Sequence, residues 1–224
     1  FIPQLLQTSD FRNVSFRTTL RKMHQMYYEK GITPFLPELK LDGEGLKVNG
    51  TALLTKQNLY NRTLTLKETQ YLKIIKDHIE GQLVLALELK KFKKPEDDIF
   101  TEDHVSFYVQ GLKRKVEKKF SNGRYQIKVN LKMPILITES PIKLTNKTEA
   151  RLKKEIEKDL QKQLNEFVKS LQKDKLDPIG FGIIAHSFNY SKWKTIEDNW
   201  LDTYQKSDIK VKVEIIVTDK GIVM

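Results

Sequence analysis

The sequence contains no cysteine, and this absence excludes disulfides, thiolate catalysis and cysteine-ligated zinc sites. It also has no run of about 18 apolar residues, so it predicts no membrane-spanning helix. No charged segment followed by an apolar stretch opens the chain; no signal peptide is visible, and we expect the natural start to lie upstream of Phe1. The 224 residues, 39% of them hydrophobic, are enough for one or two domains with a sizeable core.

Catalytic motifs are scarce as well. The four histidines are scattered, without the spacing of a zinc-binding helix: His24, His78, His104 and His186. The Gly-Phe-Gly segment at 180–182 follows no strand and lacks the third glycine of a dinucleotide fingerprint, which favours close backbone packing. The acidic segment at 96–103 lacks the pattern of a calcium loop and indicates a solvated loop. We therefore predict no cofactor, no metal and no catalytic residue, although carboxylates from distant positions can still pair, so a hydrolase stays an alternative.

Positive charge is in excess. Lys and Arg number 40 against 29 Asp and Glu, which gives a net charge of +11. Such an excess of positive charge predicts an anionic neighbour: a nucleic acid, a membrane surface or an acidic protein partner.

A change of hydrophobic period divides the chain. A capping box at Thr65 starts a helix, and Gly81 is expected to end it. From Leu83 onward the apolar residues alternate, which is typical of a strand. We therefore predict two domains, a partial domain of mixed helix and strand at 1–78 and a C-terminal α+β domain at 79–224.

A β-hairpin is the clearest local signal. The Asn-Gly dipeptide at 122–123 is typical of a two-residue hairpin turn. Such a turn places Phe120 opposite Tyr125 and Val116 opposite Val129, so that both apolar sets fall on one face. Turn chemistry and apolar pattern thus predict the same register.

Helices and a final strand complete the predicted fold. An apolar stripe indicates a long helix at 150–171, and Trp193 and Trp200 are expected to share one face of another helix. The segment from Ile209 to Val217 alternates as a strand does. The predicted fold class is α+β, an antiparallel sheet of roughly five strands covered by the long helix and shorter helices, with a smaller N-terminal partial domain.

The hairpin also predicts a basic face. Lys113, Lys115 and Lys119 alternate with the apolar residues and should point to solvent. We interpret them as a candidate basic face toward an anionic membrane or an acidic loop of a partner, although lysines in such rows also serve solubility and block strand pairing. Four lysines of the long helix are expected to add to this face: Lys153, Lys154, Lys158 and Lys162. The alternative function is a basic binding module for nucleic acid or an anionic polymer, although no aromatic ladder or helix-turn-helix accompanies the lysines.

The C-terminal part resembles a known family. A Gln is followed by an Asp five residues on, a Gly-Phe-Gly turn, two Trp seven apart, and an alternating strand that closes near a Gly. These residues are Gln172, Asp177, Gly180, Phe181, Gly182, Trp193, Trp200 and Gly221. The pattern is similar to the end of the Ger(x)C family, the C subunits of spore nutrient-germinant receptors. The likeness extends from about residue 34 to the end; Tyr190-Ser191 departs from it where the family often has a proline.

The resemblance implies a non-enzymatic subunit of a membrane receptor that triggers spore germination. It implies a lipoprotein, palmitate-modified on a cysteine upstream of this chain, at the outer face of the spore inner membrane. Integral-membrane A and B subunits are the implied partners, with no nucleic acid and a monomeric isolated domain. It supplies no catalytic residue, and the residues that carry it are candidate structural or contact residues: Gln172, Asp177, Gly180, Gly182, Trp193 and Trp200.

Overall fold

The structure is a computed structural model that describes residues 1–43, 45–57, 59–88, 104–121, 123–140 and 143–220. Four features of the sequence predictions lie outside these residues. They are Leu89 after the first alternating run, the acidic segment at 96–103, Asn122 of the hairpin turn, and Gly221.

The N-terminal part combines three helices with a three-stranded antiparallel sheet in the order β1-β2-β3. Its elements are α1 (Ile2–Phe11), α2 (Leu20–Tyr28), β1 (Phe35–Asp42), β2 (Gly45–Leu54), β3 (Tyr60–Leu64) and α3 (Leu66–Lys76).

The predicted capping box starts α3. The hydroxyl of Thr65 accepts the N–H of Glu68, and the Glu68 carboxylate accepts the N–H of Thr65 at 2.9 Å. The predicted end of this helix at Gly81 is wrong. Asp77 adopts a left-handed conformation with φ 56°, and its N–H and that of His78 bond back to carbonyls of the last turn. The helix is thereby closed four residues before Gly81.

A five-stranded sheet forms the C-terminal part. Its strands are β4 (Leu83–Glu88), β5 (His104–Val109), β6 (Lys113–Ser121), β7 (Arg124–Glu139) and β8 (Asp208–Lys220). The long strand β7 is central. Along one edge its first part pairs with β6 and its last part with β5, and its other edge pairs with β8. The hairpin register is as predicted, with Phe120 opposite Tyr125 and Val116 opposite Val129.

The α+β class is confirmed, with one difference in strand direction. Strand β8 runs parallel to β7, so the sheet is mixed, whereas its other pairs are antiparallel. Parallel neighbours need a long crossover connection. The crossover here consists of helices: α4 (Asn146–Lys173), α5 (Phe181–Phe188), α6 (Tyr190–Lys194), a 3₁₀ turn (Glu197–Asn199) and α7 (Trp200–Lys206).

The long helix α4 covers the sheet as its apolar stripe predicts. The residues of that stripe are all buried: Leu152, Ile156, Leu160, Leu164, Phe167, Val168 and Leu171. The prediction of one helix that carries both tryptophans is wrong. The chain breaks at Ile196, with φ −129° and ψ −7°, so Trp193 lies on α6 and Trp200 begins α7. The tryptophans therefore meet across a bend.

Polar side chains of α4 cover the free edge of β8. Asn165 donates to the carbonyl of Val211 at 2.8 Å and accepts its N–H at 2.9 Å. One and two turns earlier, Gln161 accepts from Val213 N–H and Glu157 accepts from Ile215 N–H. These three α4 residues lie four apart, so they form one row on the helix, and they satisfy backbone groups that an edge strand leaves open.

The predicted division into two domains stays a prediction, and specific contacts cross the proposed boundary. The amide of Asn13 donates to the carbonyls of Glu80 and Gln82 at 2.6 and 3.0 Å. The N–H of Thr33 donates to the carbonyl of Asp177 at 2.8 Å, and the N–H of Asp177 donates to the hydroxyl of Thr33 at 2.7 Å. The two parts thus share buried polar contacts.

Candidate functional site

A buried carboxylate organises the residues that carry the family resemblance. Asp177 is 0% exposed, and each of its oxygens accepts two N–H groups. One oxygen accepts from Gly180 and Phe181 at 2.9 and 3.0 Å, and the other accepts from Gly182 and from Nε1 of Trp200, both at 2.9 Å. We call this arrangement the Asp177 hub.

The chemistry of the hub suits an ionised carboxylate. All four donors are N–H groups, and Phe181 is the first residue of α5, where the helix dipole favours negative charge. Burial raises the pKa of Asp177 above its ordinary value, while the bonds from Phe181, Gly182, Trp200 and Gly180 act in the opposite direction. The carboxylate therefore ties α5 to α7. Helix α5 starts at Phe181, and Asp177 accepts the N–H groups of its first two residues from the preceding turn.

Two glycines are required by the hub. Gly180 has φ +85°, a left-handed conformation that side chains other than glycine rarely adopt. A Cβ on Gly182 would lie 2.7 Å from Nε1 of Trp200, and one on Gly31 would lie 2.6 Å from the carbonyl carbon of Gly182. The Gly-Phe-Gly segment thus serves close backbone packing, as its sequence indicates.

The two tryptophans form the apolar side of the hub. Trp193 and Trp200 are 2% and 1% exposed, with ring centroids 5.5 Å apart. The ring of Trp200 also contacts Tyr125 of β7 edge-on, at 5.8 Å between centroids, and lies 6.1 Å from Tyr204. Neither indole offers a surface to solvent, so these two candidates act in packing within this chain.

Gln172 joins the same region from the end of α4. Its side-chain amide donates to the carbonyls of Tyr204 and Ser207 at 2.7 and 2.9 Å, and it is buried. These carbonyls belong to the end of α7 and the turn into β8. The structure therefore brings all six candidate structural residues into one connected cluster that joins α4, α5, α6, α7 and the sheet.

A lysine that no sequence pattern indicated also supports the hub. Lys76, the last residue of α3, donates to the carbonyls of Pro178 and Ile179 at 2.9 and 3.0 Å. Burial, together with the positive charges of Arg114 and Lys22, lowers its pKa to about 8 against the attraction of Asp177. In the sequence it is one more lysine in the last turn of a helix, so no local signal distinguishes it from a solvated one.

The hairpin lysines belong to a larger charged surface. Strand pairing sets them beside residues of β7 and β8 on the side of the sheet that α4 does not cover. We call the twelve positions that these strands place side by side the lysine face. They form four rows across β6, β7 and β8: Lys113, Lys132, Glu214; Lys115, Asn130, Lys212; Glu117, Lys128, Lys210; and Lys119, Gln126, Asp208.

The lysine face carries a net positive charge, since seven lysines stand against three carboxylates. Each carboxylate pairs with one lysine: Glu214 with Lys132 at 2.7 Å, Glu117 with Lys128 at 3.4 Å, and Asp208 with Lys210 at 3.0 Å. Within the described ranges, the other four lysines form no ion pair: Lys113, Lys115, Lys119 and Lys212.

The expectation that the lysines of α4 add to this face stays a prediction. Helix α4 packs its apolar stripe on the other side of the sheet, and its lysines Lys154, Lys158 and Lys162 are exposed. Lys153 lies 3.9 Å from Glu157, whose carboxylate accepts the N–H of Ile215 at the edge of β8.

In the part of the chain that the structure describes, no group of three or more His, Asp or Glu side chains is arranged to hold a metal ion. No helix among those residues is long and apolar enough to cross a membrane.

The solved structures include a chain with the same architecture. The crystal structure of the GerBC protein superposes with a TM-score of 0.74 at 18% identity, over 88% of this chain and 60% of that chain. At this identity the match shows a shared fold, and it shows that this chain spans less than two thirds of that protein.

The sequence matches the family model described as spore germination B3/GerAC-like, C-terminal, over residues 49–221. The chain therefore belongs to this family, and the resemblance noted in the sequence is confirmed. Spore germination protein KC of Bacillus subtilis (strain 168) is 31% identical over 126 residues, which cover 54% of this chain and 31% of that protein. The chain thus shares a family with spore germination proteins.

Proposed function

We propose that this chain is the C-terminal portion of the C subunit of a nutrient germinant receptor and that it acts through protein contacts, not catalysis. The observation that carries the proposal is the family match over residues 49–221, which includes every residue of the Asp177 hub. The hub supports it, because its carboxylate is buried and its donors are all used in packing. A catalytic carboxylate would instead need access to a substrate.

The partners in this proposal are integral-membrane A and B subunits. Attachment by a palmitate-type lipid upstream of this chain, at the outer face of the spore inner membrane, is part of the same proposal and rests on the family resemblance. The isolated domain is proposed to be monomeric.

Deletion and complementation test this role. Spores that lack the whole gene should lose germination with nutrients and keep germination by a nutrient-independent trigger, and the intact gene should restore the response. Crosslinking in spore membranes should recover the A and B subunits with this protein. Unchanged nutrient germination in the deletion strain, with no other receptor for that nutrient present, contradicts the proposal.

The lysine face supports a finer proposal, that this side of the sheet turns toward an anionic membrane surface. Its cations are all lysines, and it carries no aromatic residue among the twelve positions. Protein interfaces are depleted in lysine and enriched in arginine and aromatic residues. A lipid surface needs only mobile point charges, and each lysine near such a surface contributes about 1 kcal/mol.

Vesicle co-sedimentation tests the orientation with a matched pair of variants. The triple change Lys113→Glu, Lys115→Glu and Lys119→Glu should abolish binding to vesicles that contain anionic lipid. The change of Arg21, Lys40 and Lys67 to Glu alters the charge equally at exposed positions of the N-terminal part, outside the lysine face, and should leave most of the binding. Equal loss in both variants contradicts an oriented face, and tighter binding to DNA than to vesicles favours the alternative of a basic module for nucleic acid.

The division into domains at 1–78 and 79–224 is also a proposal. Limited proteolysis should cleave near the boundary at 78–81 or in the 95–103 segment before it cleaves elsewhere. Cleavage confined to α4 contradicts it.

A further inference from the structure

A cavity of about 290 Å³ lies between α2, β1, the end of α3 and the start of α5. Its volume is close to the lower end of the range of roughly 300–1,000 Å³ that is typical of small-molecule sites. Two of its walls come from the N-terminal part, and Ile183 of α5 closes it from the C-terminal part. The cavity therefore lies where the two parts of the molecule meet.

One side of the cavity is apolar. The rings of Phe16 and Phe35 pack with centroids 4.8 Å apart, and Met26 and Ile32 lie beside them. These four side chains are each less than 10% exposed, whereas Ile183 at the rim is 39% exposed. Such a wall accepts an aromatic or branched aliphatic group.

The other side is polar and carries more positive than negative charge. Lys76 uses two of its three N–H donors on the carbonyls of the 177–182 turn, and its ammonium lies 5.5 Å from the centre of the Phe35 ring. Lys22 of α2 also lines the cavity. Across the described residues, no carboxylate forms an ion pair with either lysine.

The remaining polar groups of the cavity lining leave its net charge positive. Glu29 is the one carboxylate in the lining, and it already accepts the N–H of Gly31 at 3.2 Å. His78 stacks on Phe16, and burial and the nearby charges of Lys22 and Lys73 lower its pKa, which disfavours its charged form. The pKa of Lys76, at about 8, keeps most of it protonated at that pH. Two ammonium groups thus face one carboxylate.

We propose that this cavity binds a small organic carboxylate, with its apolar body against Phe16 and Phe35 and its carboxylate at Lys76 and Lys22. The lysines supply the charge that a carboxylate needs, and the aromatic pair supplies the apolar contact. Because Lys76 is held by the 177–182 turn, the ligand would contact the segment that also carries Asp177. The site does not depend on the proposed receptor role, since the binding test uses only this chain.

The probe is benzoate, compared with benzamide and benzylamine, which share its ring and differ in charge. The chain labelled with ¹⁵N is titrated with each compound, and amide shifts are followed by NMR. Benzoate should cause saturable shifts at residues 16–35 and 178–183, with a Kd on the order of 1 mM or tighter. Benzamide should bind at least about tenfold more weakly, and benzylamine should not shift these residues.

Two variants test the role of the lysines. Lys76→Met should abolish benzoate binding, but Lys76 is partly buried and this variant can also disturb the fold. Lys22 is exposed, so Lys22→Glu should fold normally, and it should weaken benzoate binding at least about fivefold. Arg21→Glu is the matched control, because Arg21 is the exposed neighbour on the same helix and does not line the cavity.

The proposal is overturned by any of four results. Three are no saturable shift at the cavity residues with benzoate, equal affinity for benzoate and benzamide, and equal weakening by Lys22→Glu and Arg21→Glu. Benzoate shifts confined to the lysine face also overturn it, since they would mean that benzoate binds surface lysines only.

Discussion

The two sides of the five-stranded sheet differ completely, although the same strands build both. On the side under α4, every second residue of β7 is buried, such as Ile127, Val129 and Leu131. The residues between them belong to the lysine face. One side therefore supplies stability through packing. The other contributes little to packing and is free to contact a partner. Stability and the proposed membrane contact are thus assigned to alternate residues along one strand.

This comparison predicts the largest loss of stability at Trp200. Trp200→Ala removes a buried ring and leaves the Asp177 carboxylate without one of its four donors, so the free energy of unfolding should fall by about 3–5 kcal/mol. Urea unfolding followed by circular dichroism measures the change. The control is Tyr190→Ala, which removes an aromatic ring that is 59% exposed and should alter stability by less than about 1 kcal/mol. Equal stability of the two variants would show that the hub is not a packing centre.

The buried lysine behind the hub predicts a dependence of stability on pH. The pKa of Lys76 is about 8 in the folded protein against an ordinary value of 10.5, so between these pH values the unfolded chain binds more protons. The free energy of unfolding should therefore rise with pH in this window, by at most about 1.4 kcal/mol per pH unit. The measurement is the free energy of unfolding of the wild type minus that of Lys76→Met, from pH 7 to 10. Tyrosine ionisation affects both proteins and cancels in this difference. A difference that is constant over this range contradicts the lowered pKa.

A smaller loss is expected where α4 holds the edge of the sheet. Asn165→Ala leaves the N–H and the carbonyl of Val211 without their side-chain partner, which should cost about 1–2 kcal/mol. Lys158→Ala, an exposed change on the same helix, should stay within about 0.5 kcal/mol. Hydrogen exchange provides a second readout, because the Val211 amide should exchange faster only in the Asn165 variant.

The smallest effect on stability is expected on the lysine face. Each of the changes Lys113→Glu, Lys115→Glu and Lys119→Glu should alter the free energy of unfolding by no more than about 0.5 kcal/mol, because the side chains are exposed and unpaired. The same variants should show the largest change in vesicle binding. A large loss of stability in them would mean that the two sides of the sheet are not separate in function.

Local sequence signals predicted much of the fold. The alternation around residues 122–123 and the turn chemistry fixed the hairpin register, and the stripe from Leu152 to Leu171 fixed the buried side of α4. Both signals act over a few residues, where the period of the backbone decides which side chains share a face. The site residues were found by their resemblance to a family, but their contacts could not be derived from spacing.

The failures have a common cause. The parallel pairing of β7 and β8, the bend between Trp193 and Trp200, and the burial of Lys76 all depend on groups far apart in the chain.

The sequence by itself determined the charge, the periods of helix and strand, the hairpin register and the family. These follow from composition and from neighbours within a few residues. The tertiary structure alone decided that Asp177 is buried among four N–H donors, that Lys76 reaches the 177–182 turn, and that the lysines of β6, β7 and β8 form one surface. The physical reason is that burial and long-range hydrogen bonds depend on which elements pack together, and a one-dimensional pattern does not contain that information.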